Sequence, residues 1–193
     1  MKVAIVKYNA GNVSSVLYAL KRLGVDGVIT DSPTELSTAN KVIFPGVGSA
    51  GAAMAYLKER DLDKLIISLK QPVLGICLGM QLLCAYSEEE DTTCLDVFKQ
   101  SIKKINGSEK VPHVGWNNIT NYKTDLFKGL DENAFVYFVH SYYAELSTYT
   151  ISETNYGGLF SSALQHNNFY GVQFHPEKSG EVGNTILKNF IEL

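Results

Sequence analysis

Between Gln71 and Leu83 the chain reads Gln-Pro-Val-Leu-Gly-Ile-Cys-Leu-Gly-Met-Gln-Leu-Leu, and its hydrophobic period changes in the middle. Pro72 to Ile76 is a short apolar run of the kind that forms a fully buried strand, whereas Leu78 to Tyr86 spaces its apolar residues as a helix does. Cys77 stands at the change, in Gly75-Ile-Cys-Leu-Gly79. This is the pattern of a nucleophile elbow with cysteine in the serine's place, in which a sharp strand-to-helix turn lifts the side chain clear of the backbone. Glycines two residues either side let neighbouring backbone pass close by. A cysteine at that helix N-terminus meets unpaired amides and the positive end of the helix dipole, which favour its thiolate. The competing reading is a buried core cysteine, a common fate for this residue type.

The first half of the chain alternates short strands with helices. Lys2 to Val6, Val25 to Thr30, Lys41 to Phe44 and Pro72 to Ile76 read as strands. Helical spacing follows Asn12, follows the Ser32-Pro33 start, and runs through Ala50 to Leu57 and Leu62 to Leu69, with Gly24 at a C-terminal cap. Such alternation predicts βαβ units, hence an α/β fold with an open, mainly parallel sheet and flanking helices. Beyond Glu88-Glu-Glu-Asp91, itself the composition of a solvated loop, strand formers dominate from Val97 to Ile119 and from Ala134 to Phe174. Asn106-Gly107, Asn155-Tyr-Gly-Gly158 and Asn167-Asn168 punctuate them as turns, which predicts an antiparallel extension of the sheet in the C-terminal half. Val182 to Ile191 is expected to close the fold as an amphipathic helix. At 193 residues a single domain over 1–193 is expected.

Composition removes several function classes. A net charge of -3 gives no electrostatic reason to bind nucleic acid. No apolar run approaches the roughly 18 residues that a membrane span requires, and the apolar start is too short for a signal peptide, so a cytoplasmic location is expected. Three cysteines, Cys77, Cys84 and Cys94, with no Cys-x-x-Cys pair, argue against a disulfide framework and against a structural metal site.

Near the C-terminus Tyr170-Gly-Val-Gln-Phe-His-Pro-Glu-Lys178 reads as an alternating strand that delivers His175 and Glu177 to one face. A thiol attacking an amide needs a base for its proton, an acid for the leaving nitrogen and an anion to orient the imidazole. Cys77, His175 and Glu177 are the candidates for those roles, with His113, His140 and His166 as rival bases, His140 foremost. A tetrahedral intermediate also needs amide donors, usually the one after the nucleophile and one from another loop. Leu78 supplies the first, and the Pro45-Gly-Val-Gly48 loop, through Val47, is the candidate for the second. That loop lacks the lysine of a phosphate-binding loop.

Pro45-Gly-Val-Gly48, Gly75-Ile-Cys-Leu-Gly-Met-Gln81 and Gly171-Val-Gln-Phe-His-Pro-Glu-Lys-Ser179 together resemble the class I glutamine amidotransferases. Lys110-Val-Pro-His-Val-Gly-Trp-Asn117, Phe138-Val-His-Ser-Tyr142 and the Tyr8 to Asn12 loop narrow the likeness to the glutaminase subunits of imidazole glycerol phosphate synthases, essentially end to end. The resemblance implies a glutaminase that needs no cofactor and forms a heterodimer with a (β/α)₈ synthase subunit, to which it passes ammonia in histidine biosynthesis. It implies that Gly46, Gly48, Gln81, Glu89, Ser141 and Tyr142 hold glutamine, and that Asn12, Trp116 and Lys178 face the partner, although Trp116 could equally be a core residue. Asn9-Ala10 and Cys84-Ala-Tyr86 depart from the family's usual residues. A paralogous glutaminase with a different acceptor, and a stand-alone cysteine hydrolase, are the competing readings.

Overall fold

The computed structural model describes residues 1–9, 11, 13–107 and 109–193. Five short strands, β1 (Val3–Val6), β2 (Gly27–Thr30), β3 (Lys41–Phe44), β4 (Val73–Ile76) and β13 (Phe169–Val172), form a parallel sheet in the order β2-β1-β3-β4-β13. Their connections include α1 (Val13–Arg22), α2 (Pro33–Thr38), α3 (Ala50–Glu59) and α4 (Leu62–Ser68). The strands are apolar throughout because both faces are covered. Val3, Ile5, Ile43 and Leu74 pack with α1 and the closing helix α6 (Gly180–Glu192). Ala4, Val6, Val42, Phe44 and Val73 pack with residues of α3 and α4 on the other side. The α2 start follows its sequence: Pro33 is the first helical residue, and the Ser32 hydroxyl accepts the Glu35 amide at 3.4 Å.

Beyond β13 the sheet continues through β12 (Leu159–His166), β10 (Tyr142–Ala144), β7 (Phe98–Lys104), β5 (Cys84–Ser87) and β6 (Thr92–Thr93), with β11 (Thr150–Asn155) paired to β12. These pairings are antiparallel apart from the parallel β5–β7 pair, so the expected antiparallel extension is present, with one parallel exception. Asn155 to Gly158 and Asn167-Asn168 turn two of its hairpins. A separate two-stranded ribbon, β8 (His113–Asn118) with β9 (Phe135–His140), lies off the main sheet.

Helical spacing over Leu78 to Tyr86 overstates the helix. Helix α5 stops at Leu82, and Cys84–Ser87 is strand β5. The Leu83 carbonyl, which a continued helix would bond to the Ser87 amide, instead accepts the Val97 and Phe98 amides at 2.9 Å each. Tertiary pairing with β7 therefore wins over local periodicity. The expected N-cap, Asn12, lies outside the described residues.

Helix α5 sits directly on the strands, and glycine makes that approach possible. A Cβ on Gly79 would stand 1.7 Å from the Phe44 carbonyl oxygen, and one on Gly75 would stand 2.8 Å from the Gly79 carbonyl carbon. Backbone cannot step aside as a side-chain tip can. Gly79→Ala should therefore destabilise the chain by about 3 kcal/mol, the upper end for overpacking, and lower its thermal midpoint by roughly 10 °C. A melting curve that superposes on the wild type would show that α5 does not need this contact.

Candidate active site

Cys77 links β4 to α5 with φ 53° and ψ -108°, a conformation that side chains rarely adopt. Such a residue costs on the order of 1–3 kcal/mol and persists only where its surroundings hold it. Here the Cys77 amide donates to the Val172 carbonyl at 2.8 Å, and the Cys77 carbonyl accepts the Gln81 amide at 3.1 Å. The sulfur opens onto a cavity of about 280 Å³ lined by Val47, Gly48, Leu78, Gln81, Glu89, Pro112, Val139, His140, Ser141 and Tyr142. Cys77 is buried, yet it borders this space, so the core reading and the site reading describe the same side chain. Neither Cys84 nor Cys94 lines the cavity, and burial pushes both of their thiols up, Cys94 to about 12.

His175 arrives from the next strand over, but not on it. Strand β13 ends at Val172, and Pro176 begins a 3-10 turn, Pro176–Lys178, so the expected alternating strand through Glu177 is replaced by a turn. Proline cannot extend a ladder, and its fixed φ suits the first turn position. The turn still brings the pair together: His175 Nδ1 lies 2.8 Å from Glu177 Oε1, with both side chains buried. The His175 amide donates to the Tyr137 carbonyl at 2.9 Å, and the Ser179 hydroxyl donates to the His175 carbonyl at 2.7 Å. With Nδ1 engaged by the carboxylate, Nε2 is the ring nitrogen left for Cys77. Burial opposes a charged ring here, but the Cys77 sulfur and the Glu177 carboxylate together push the His175 pKa up to about 10.

The rival bases are placed differently. His140 lines the cavity, but its Nδ1 donates to the Tyr142 carbonyl at 2.8 Å and its Nε2 faces His113 Nδ1 at 3.0 Å. Burial lowers His140 to about 3 and His113 to about 4, which keeps both rings neutral. A neutral His140 that donates through Nδ1 must accept through Nε2, so His113 donates to it. Neither nitrogen of His140 is open to a thiol proton. His166 pairs with Phe169 at the far end of the strands, away from the end that carries Cys77.

Of the expected amide donors, Leu78 is in place but engaged, since its amide donates to the Gly46 carbonyl at 3.3 Å. The Pro45–Gly48 loop that supplies this carbonyl rests on Tyr8, whose hydroxyl donates to the Pro45 carbonyl at 2.6 Å. A Cβ on Gly46 would fall 2.0 Å from that hydroxyl, so the loop lies flat against the ring. Val47 is partly exposed at the cavity edge, and Gly48 has φ 128°. Of the residues that the resemblance assigns to glutamine, Gly48, Gln81, Glu89, Ser141 and Tyr142 border the cavity, whereas Gly46 is not among its lining residues. The acidic run is more than a solvated loop. Glu89 accepts the Ala50 amide at 2.9 Å and Glu90 the Gly51 amide at 3.1 Å, so both carboxylates cap the N-terminus of α3. Partial burial raises the Glu89 pKa, and the Ala50 bond offsets some of that rise.

Trp116 is not a core residue. It is 55% exposed on β8, on the same face as exposed Val114 and Phe135, and against Tyr137. Lys178 is exposed beside the Glu177 turn, and Asn12 lies outside the described residues. Gln173 and Tyr8 join the site without having been among the candidates named from the sequence. Gln173 is fully buried, and its amide nitrogen lies 3.7 Å from the Cys77 sulfur. A polar residue two places before His175 within an apolar run was the available signal.

A family model for class-I glutamine amidotransferases matches residues 4–193. The chain belongs to the class I glutamine amidotransferase family. Among curated members of this family, the imidazole glycerol phosphate synthase subunit HisH of Bacteroides fragilis (strain YCH46) is 58% identical over 196 residues, covering 100% of each chain. The subunit of that name from Photorhabdus laumondii is 47% identical over 201 residues, again covering 100% of each. A solved glutamine amidotransferase from Thermotoga maritima shares the fold with a TM-score of 0.66 at 20% identity, over 100% of this chain and 81% of its own.

The carboxylate beside His175 has a testable electrostatic consequence. Because the folded pKa is raised above the ordinary 6.5, the stabilisation from the charged ring is complete below that pH and is lost as pH rises through about 10. Glu177→Gln removes one of the partners that raise it, so the His175 ring should titrate at lower pH, as followed by nitrogen NMR of the imidazole. An unmoved midpoint would mean that Glu177 does not hold the ring's charge.

Proposed function

We propose that this chain, as one glutamine amidotransferase domain over 1–193, is the glutaminase subunit of an imidazole glycerol phosphate synthase. On this reading it hydrolyses glutamine to glutamate and passes the ammonia to a (β/α)₈ synthase subunit in cytoplasmic histidine biosynthesis. One observation carries the chemistry: a strained, cavity-facing cysteine, a buried histidine in electrostatic contact with its sulfur, and a buried carboxylate 2.8 Å behind that histidine. Full-length identity of 58% to a named synthase subunit carries the choice of acceptor.

The Cys77 thiolate attacks the side-chain carbonyl carbon of glutamine, and the carbonyl oxygen takes up the negative charge. His175, held protonated by its two neighbours, gives its proton to the departing nitrogen, and ammonia leaves a thioester on Cys77. The ring, now neutral, takes a proton from water, whose oxygen attacks the thioester and releases glutamate. Glu177 keeps Nδ1 protonated throughout, so that Nε2 does the transfers. Glu89 suits the α-ammonium of the amino acid, with Gln81, Ser141, Tyr142, Gly46 and Gly48 around the rest of it.

The oxyanion is the step that the resting geometry does not serve. With the Leu78 amide spent on Gly46, stabilisation requires the Pro45–Gly48 loop to turn, which would release Leu78 and present Val47. Removal of one oxyanion donor costs roughly 10²–10³ in kcat in other enzymes, so the resting subunit should hydrolyse glutamine slowly. Asn12, Trp116 and Lys178 are assigned to the synthase face, where docking could favour the turned loop.

Glutaminase assays of the isolated chain and of its complex with the synthase subunit and its nucleotide test this reading. Weak basal turnover and stimulation of about 10² or more are expected in the complex. Cys77→Ala should abolish glutamine hydrolysis in both while the complex still makes product from added ammonia. Glutamine turnover by Cys77→Ala, or equal turnover with and without the partner, would defeat it.

A further inference from the structure

Cys77 has two polar contacts of opposite preference besides His175. Its sulfur lies 3.6 Å from the Val139 carbonyl, which can only accept and so favours the thiol. It also lies 3.7 Å from Gln173 Nε2, which can only donate and so favours the thiolate.

Which end of the Gln173 amide faces the sulfur is fixed by a chain of hydrogen bonds. The Tyr142 carbonyl has no proton to give, so the Gln81 atom 3.0 Å from it must be the NH₂ nitrogen. That nitrogen spends its second proton on Gln173, 2.9 Å away, and the Gln173 atom it meets must be the carbonyl oxygen. The NH₂ group of Gln173 is then left to point at Cys77. The Tyr142 carbonyl that sets the direction is itself held by His140 Nδ1 at 2.8 Å. The Gln81–Gln173 and Gln173–Cys77 links are buried, with Gln173 fully covered and Gln81 5% exposed.

We infer that Gln173 is a further catalytic residue, donating a hydrogen bond to the Cys77 sulfur and holding it as the thiolate, with Gln81 setting its orientation. This rests on the reading of Cys77 as the nucleophile. Hydrogen bonds to a charged group are stronger than neutral ones, and a buried donor keeps most of that advantage. Because Gln81 also borders the glutamine cavity, the network joins the substrate's binding surface to the reacting atom through one intervening side chain.

Alkylation of Cys77 by iodoacetamide across a pH series, in the whole chain without substrate or partner, tests this directly. Gln173→Met keeps much of the volume, adds no charge and has no N–H to give the sulfur. At pH 7 it should alkylate at least tenfold more slowly than wild type, with the profile displaced upward by about one pH unit. A melting midpoint near the wild type would show that the slowing does not come from lost folding. Gln81→Leu, which leaves Gln173 present but unoriented, should slow alkylation to an intermediate degree. Wild-type rates and profiles in both variants would overturn the role of Gln173. Alkylation undiminished in Cys77→Ala would instead overturn the reading of Cys77, which separates the two failures.

Discussion

The contact between Gly79 and the Phe44 carbonyl fixes how deeply α5 can sit, and the geometry of Cys77 follows from that depth. With the helix so close to β3 and β4, the chain leaving β4 has no room for an ordinary turn and passes through the positive-φ conformation at Cys77. The strain is local and the restraints are not: the Val172 carbonyl on β13 and the glycine at position 75 on β4 hold the turn from two strands. Because β13 is also the strand that leads to His175, the element that restrains the sulfur delivers the imidazole. Loops after β1, β3, β4 and β13 all reach the same end of the sheet, where open parallel sheets place their sites.

What the sequence made legible was mostly short-range. The strand, Gly-x-Cys-x-Gly and helix order, the Ser32-Pro33 helix start and the turns at Asn155 to Gly158 and Asn167-Asn168 are each encoded within a few residues. Features set by distant partners were harder to read. Cys84 to Ser87 has helical spacing, yet β7 captures its backbone. His175 and Glu177 read as alternate strand residues, yet Pro176 starts a turn that brings them together by another route. The acidic run looked like surface, and nothing within it signals that Glu89 and Glu90 cap α3, whose first residues lie far back in the chain. His140 fitted a base by sequence position. Only its two hydrogen bonds, to Tyr142 and to His113, remove it from that role.

On the proposed reading, the site combines a triad whose His175 and Glu177 are already bonded with an oxyanion pocket that is not yet formed. His175 and Glu177 are buried and bonded, whereas the Leu78 amide is occupied by Gly46 in a loop that Tyr8 supports from beneath. If the chain feeds a synthase as proposed, ammonia released without an acceptor would be lost, and a catalytic element completed only by the partner would prevent that loss. The exposed Val114, Trp116 and Phe135 face lies on the β8–β9 ribbon, whose Val139 and His140 border the cavity. A protein seated there would be in mechanical reach of the nucleophile.

On the proposed reading the elbow cysteine attacks the carboxamide carbon of a bound amino acid. A diazoketone analogue of glutamine, incubated with the synthase complex and followed by peptide mass spectrometry, tests it most directly. One adduct is expected, on the peptide carrying Cys77, suppressed by excess glutamine. Modification of Cys84 or Cys94 instead, or labelling of Cys77 indifferent to glutamine, would contradict it.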